Sequence, residues 1–221
     1  MNRKEFSNPI PLKHIRITDP FWTKRLELVR QAVLPYQYEA LNDRVDGAEK
    51  SYCLDNFRKA GKIASALMEG KAVHVYPVDK WVYDDDNADR NAFHGWVFQD
   101  SDAYKWLEAV GYSLINHPDP ALEAKARDVI DLICAAQLEN GYLDTLYIIN
   151  DRDKCFTNLR DYHELYCFGH LAEAAVSFFN ATGDRKLLDA ALRFADLICR
   201  TFGEEKIKGY PGHEIAVMAL V

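Results

Sequence analysis

Asp131-Leu132-Ile133-Cys134 recurs 65 residues later as Asp196-Leu197-Ile198-Cys199. At the same offset Glu108-Ala109 falls on Glu173-Ala174, and Asp119, Leu122 and Ala126 fall on Asp184, Leu187 and Ala191. Each copy carries two apolar patterns of helical spacing joined by a short turn. A fixed period with two helices per unit is the pattern of a stacked or circular α/α architecture. The repeat therefore predicts an all-α chain, part of an (α/α)6 barrel (an α/α toroid) built from helical hairpins.

Working outward, residues 1–20 read as an extended N-terminal arm. It holds Pro9 and Pro11, and Ile15-Arg16-Ile17-Thr18 alternates like a short strand. Asp19-Pro20 then opens a helix of about 20 residues through Leu26, Val29, Val33 and Tyr36. Residues 21–221 are assigned to the barrel. A second helix is expected from about Asn56 to Met68, before Gly70. Residues 71–100 are loop-like, with an acidic run Asp84-Asp85-Asp86 and aromatics Trp81, Tyr83, Phe93, Trp96 and Phe98. A long aromatic loop reads either as a functional lid or as a solvated insertion. Ser101 is the expected N-cap of the next helix. That helix breaks at His117-Pro118-Asp119-Pro120, and another runs from Ala121 to about Leu138. The second copy spans about Asp161–Thr182 and Asp184–Phe202, and a last helix begins near His213. The apolar finish Met218-Ala219-Leu220-Val221 lacks a cap. A closed toroid needs about six hairpins, which predicts that this is the N-terminal part of a longer protein.

Composition narrows the function classes. The chain has 221 residues, 48% hydrophobic and 28% charged, enough for one domain with a sizeable core. A net charge of -7 speaks against nucleic acid, which requires clustered Lys and Arg. No apolar run approaches the length of a membrane span, and no secretory h-region follows the start. The five cysteines are odd in number and form no Cys-x-x-Cys pair, which predicts free thiols in a reducing cytoplasm.

Chemistry concentrates in Asp161-Tyr162-His163-Glu164-Leu165-Tyr166-Cys167-Phe168-Gly169-His170. His163, Cys167 and His170, at i, i+4 and i+7, would share a helix face. Such a face could ligate zinc, or it could be a packed stripe with each imidazole bonded to a carbonyl. The favoured reading points His163 into a pocket and leaves His170 structural. Gly209-Tyr210-Pro211-Gly212-His213 would set His213 just inside a helix start, either lining a toroid mouth or merely capping the helix. Phe98-Gln99-Asp100-Ser101-Asp102 with Lys105-Trp106 offers Asp102, a mouth acid or a cap. Asn140-Gly141-Tyr142-Leu143-Asp144-Thr145 offers Tyr142. No pair of acids is selected by spacing as the two carboxylates of a glycosidase. No phosphate loop or dinucleotide fingerprint is present.

These four segments, in their order along the chain, resemble glycoside hydrolase family 127, the β-L-arabinofuranosidase family, over most of the chain from about residue 10. The resemblance implies an (α/α)6 catalytic barrel and retaining release of terminal β-L-arabinofuranose from a carbohydrate substrate. It also implies a zinc-bound cysteine thiolate as nucleophile and a glutamate as acid/base. Those groups are expected beyond this chain, so none of its five cysteines takes that role, no zinc is expected on this segment, and the segment alone is expected to be inactive. Sugar contact is what the resemblance carries over, to His163 and His213, with Asp102 and Tyr142 as further substrate-binding candidates. One departure is the stretch Glu214-Ile215-Ala216-Val217, where the family commonly has a second acid. The alternatives are an α/α-toroid epimerase using His163 and His213 as acid and base, and a helical-repeat binding module. Open barrel edges would expose apolar faces and favour self-association.

Overall fold

The computed structural model describes residues 10–78 and 89–220. Trp81, Tyr83 and the acidic run at 84–86 lie outside the described residues, as do residues 1–9 and Val221.

After a 3-10 turn at Leu12–His14, helix α1 spans Pro20–Leu28. Asp19 caps it, its carboxylate accepting from the amides of Phe21 (2.9 Å) and Trp22 (3.0 Å). A π-helical turn over Val29–Val33 leads into α2, Leu34–Leu41. Pro35 explains the widened turn: it has no N–H for the preceding turn, and the Leu34 amide reaches back to the Val29 carbonyl instead. The expected single helix therefore persists as one run with a local bulge. The expected strand at Ile15–Thr18 does not form. Among the described residues the one β-contact is an isolated bridge between Phe202 and Ile207.

The remaining helices are α3 (Cys53–Met68), α4 (Asp100–Asn116), α5 (Pro120–Ala136), α6 (Thr145–Ile149), α7 (Glu164–Thr182), α8 (Lys186–Thr201) and α9 (Ile215–Ala219). They stand in two rows. Helices α2, α4, α7 and α9 neighbour one another in sequence order, and α3, α5 and α8 form the second row. The hairpins α4–α5 and α7–α8, the two copies of the repeat, bridge the rows. This is a partial α/α toroid. In α7, apolar residues such as Leu165, Phe168, Leu171 and Phe178 are buried around much of the helix, as befits an element with neighbours on several sides. In α8 the buried set narrows to Leu187, Ala190, Ala191 and Phe194 on one stripe. Across the α4–α7 contact the Ser177 hydroxyl donates to the Glu108 carbonyl at 2.9 Å. The Trp106 indole donates to the Leu34 carbonyl at 3.0 Å, tying α4 to α2.

Ser101 is not the cap of α4. The helix begins one residue earlier, and Ser101 is buried in its first turn. Tertiary contacts decide this: the Asp100 carboxylate accepts from the Thr145 amide (2.8 Å) and hydroxyl (2.5 Å) at the start of α6.

Candidate functional site

His163 occupies the N-cap position of α7 in the left-handed region, φ 61° and ψ 18°. Its Nδ1 lies 2.8 Å from the Asp161 carbonyl. A carbonyl can only accept, so Nδ1 carries the proton and a neutral His163 presents a lone pair at Nε2. His213 lies in the turn two residues before α9, rather than inside the helix as its sequence position suggested. Its Nε2 stands 3.1 Å from Nε2 of His163, with ring centroids 5.0 Å apart. Both residues are solvent-accessible. Two residues 50 apart in sequence thus meet at one ledge.

Close backbone approach makes this meeting possible. A Cβ on Gly169 of α7 would stand 2.7 Å from the Ala216 nitrogen and the Ile215 carbonyl carbon, so only glycine lets α9 seat on α7. Gly212 lies against the Arg160 backbone, where a side chain would collide with it, and so holds the turn before His213 beside the turn before His163.

Aromatic and cationic groups complete the ledge. Phe98 packs edge-on to His163 at 5.4 Å, with Trp96 stacked on Phe98. The Tyr166 ring is 5.5 Å from His163 and 4.9 Å from His213. Lys105 donates to the Tyr166 hydroxyl (2.8 Å) and to Ser101 Oγ (3.0 Å), linking α4 to the ledge. His170 packs against Tyr166 at 4.5 Å. Burial, with Lys105 and His213 adding to it, lowers the His170 imidazole to about 4, so it stays neutral near pH 7. Asp102 is half-buried and accepts from the Gln99 amide at 2.8 Å. Burial raises its carboxyl, and Lys105 opposes that.

Tyr142 is placed elsewhere. It is 1% exposed, and its hydroxyl donates to Glu164 Oε1 at 2.5 Å, so its position is inside the core and not on the ledge. Glu164 also accepts from the Phe156 amide at 2.9 Å, and burial raises its carboxyl to about 7. Asp100 is raised to about 6, and Asp144 well above the usual carboxylate range, both mainly by burial. All three acids are buried, and Asp100 and Glu164 push the Asp144 carboxyl up further. Lys105 and Tyr166 lie within the quoted segments, but the sequence reading gave neither a role. Tyr166 stands three residues beyond His163, and Lys105 four beyond Ser101, spacings that put each pair on one helix face.

Cys167 is buried, and burial raises its thiol. Among the described residues no three His, Cys, Asp or Glu side chains gather closely enough to hold a metal ion. The zinc-ligating alternative for His163, Cys167 and His170 therefore finds no such grouping. A depression of about 530 Å³ lies away from the histidines, between α3 and α5, lined by Phe57, Lys62, Leu132 and Ala135 among others. Arg58, Ser65, Glu69 and Lys71 also line it, but no histidine or cysteine does. No helix among the described residues is long and apolar enough to cross a membrane.

Two rows of helical hairpins with imidazoles gathered at the N-terminal ends of α7 and α9 define a segment of an α/α toroid with a polar, aromatic-edged ledge. Residues 14–221 match the catalytic domain of β-L-arabinofuranosidase, GH127. The chain belongs to that family. It is 38% identical over 214 residues to a non-reducing end β-L-arabinofuranosidase of Bifidobacterium longum subsp. longum, covering 94% of this chain and 30% of the relative. Among solved structures it resembles Ara127N-Se, a GH127 β-L-arabinofuranosidase from Geobacillus stearothermophilus T6. The TM-score is 0.78 at 44% identity, over 93% of this chain and 29% of that one. It also resembles the GH127 β-arabinofuranosidase BT3674, with TM-score 0.76 at 30% identity, over 96% of this chain and 30% of that one. The chain thus spans about 30% of the length of the relatives it matches.

Proposed function

We propose that this chain supplies a sugar-contacting wall of a retaining β-L-arabinofuranosidase, and that residues 1–221 alone do not hydrolyse the glycoside. The observation that carries the reading is the 3.1 Å approach of His163 and His213 on an accessible ledge. Nε2 of His163 can accept from one sugar hydroxyl and His213 can donate to a neighbouring one, and Phe98 and Tyr166 offer apolar edges for the ring's C–H face. Lys105, Tyr166 and Asp102 extend the polar surface.

Four of the five cysteines support placing the nucleophile outside this chain. Burial raises the Cys53, Cys134, Cys155 and Cys167 thiols, whereas a nucleophilic thiolate needs a depressed pKa. Zinc, implied by the family resemblance, finds no set of three or more His, Cys, Asp or Glu donors among the described residues. Five free cysteines suit a reducing, cytoplasmic compartment. The epimerase alternative needs its acid and base on opposite sides of a substrate. Two imidazoles bonded to each other leave no room for one between them.

The test is a titration of this chain with a β-L-arabinofuranosyl disaccharide, followed by imidazole 1H–15N spectra and by sugar release. Perturbation of His163 and His213 without L-arabinose production is the expected result. Unmoved imidazoles would overturn the sugar contact, and stoichiometric zinc with robust hydrolysis would overturn the predicted inactivity. An isomerised sugar would favour the epimerase.

A further inference from the structure

We propose that the His163–His213 pair is also a two-imidazole binding site for a divalent ion that prefers tetragonal nitrogen coordination, nickel(II) or copper(II). Three observations carry it. First, the two Nε2 atoms are 3.1 Å apart, so at metal–nitrogen bonds of about 2.0–2.1 Å they subtend about 98° at a shared ion. That angle is nearer the right angle of tetragonal sites than the tetrahedral angle favoured by zinc. Second, His163 is already arranged as a ligand. Its Nδ1–H is fixed on the Asp161 carbonyl, leaving Nε2 as a lone pair, and the remote N–H of a metal-binding histidine is usually anchored in this way. Third, the ring centroids stand 5.0 Å apart with planes inclined by 40°, closer than an end-on pair at that nitrogen separation would stand.

Binding replaces one hydrogen bond with two metal–nitrogen bonds. His213 moves its proton from Nε2 to Nδ1 through solvent, so neither imidazole changes charge. No third His, Cys, Asp or Glu joins the pair among the described residues, so water fills the remaining positions. The ion and a sugar would compete for the same lone pair. The inference goes beyond the sugar reading and does not need it: a chain that takes nickel but no arabinofuranoside keeps the first and loses the second.

Nickel(II) titration of the 221-residue chain, read by calorimetry and by paramagnetic broadening of imidazole signals, tests the site. Broadening is expected first at His163 and His213, with one ion per chain. Asparagine tolerates the left-handed backbone at position 163, so His163→Asn is the fitting variant there. His163→Asn and His213→Asn should each weaken nickel binding at least tenfold, whereas His117→Asn, at the far end of α4, should not. Earlier broadening at other histidines in the unaltered chain overturns the proposal, whatever the variants do. Unchanged affinity in a folded His163→Asn or His213→Asn chain overturns it as well.

Discussion

Replacing Gly169 by alanine should dismantle the ledge while leaving the helical body nearly as stable. The new Cβ would stand 2.7 Å from backbone atoms of Ile215 and Ala216, against 3.4 Å where ordinary contact begins, a deficit of 0.7 Å. Helix α7 is held between α4 and α8, whereas α9 is five residues long with one buried side chain, Ala216, so α9 is the element that moves. Displacement of His213 by that amount along the N–N line opens the imidazole pair from 3.1 Å to about 3.8 Å, beyond hydrogen-bonding reach. Overpacking costs about 1–3 kcal/mol, and exchanging glycine for alanine within a helix returns about 1 kcal/mol. The net loss is about 0–2 kcal/mol, or a fall of roughly 0–8 °C in Tm for a chain of this size. The assay pairs a thermal melt with imidazole 1H–15N spectra and disaccharide titration. The expected result is a modest Tm change with altered His163 and His213 signals and sugar binding at least tenfold weaker. Unchanged imidazole signals with unchanged affinity would refute the argument that Gly169 seats α9.

Trp106→Phe removes the indole donor to the Leu34 carbonyl together with core volume, which should cost about 1–3 kcal/mol in urea unfolding. A cost below 0.5 kcal/mol, roughly that of an exposed site, would show that this bond does not tie α2 to α4. Glu164 titrates at about 7 when folded, against 4.5 unfolded. Its contribution to stability is complete below about pH 4.5 and disappears as pH rises through 7, because the folded state holds the proton longer. In Glu164→Gln that pH-dependent component vanishes, so the difference in stability between the parent and this variant should shrink from pH 4.5 to 7.5; parallel curves would contradict it. Residues Phe21 and Trp22 of α1 are 54% and 58% exposed, and α1 buries no residue at all. An apolar face that no described residue covers should drive self-association, and Trp22→Glu should reduce it. A monodisperse monomer at high concentration in light scattering would count against this.

The hairpins were legible because their repeat is written in local periodicity, which helices require whatever they pack against. Asp19 announced its helix by cap chemistry, and its carboxylate accepts from the amides of Phe21 and Trp22. Helix α6 was not legible: all five of its residues, Thr145–Ile149, are buried, so it has no polar face and no period to read. Ser101 misled because α4 starts at Asp100, with Gln99 at its N-cap, and Asp100 is bonded to Thr145, 45 residues away. The histidine motifs stood out one at a time, but no spacing rule places residue 213 against residue 163. Their contact depends on what glycine permits at positions 169 and 212, a tertiary property. Tyr142 looked available in a Gly-containing turn and is consumed by a buried acid that its own segment does not contain.

The left-handed backbone at His163 also shapes how this position can drift. Asn, Asp and His enter that conformation several-fold more readily than other non-glycine residues, and β-branched side chains scarcely enter it. Mutation there is filtered first by torsion and only then by chemistry. Asn and Asp preserve the helix start while discarding the imidazole, so a lineage can lose the ledge with its scaffold intact. Branched replacements endanger both at once, so the tolerated variants should be those that silence the position without unfolding it.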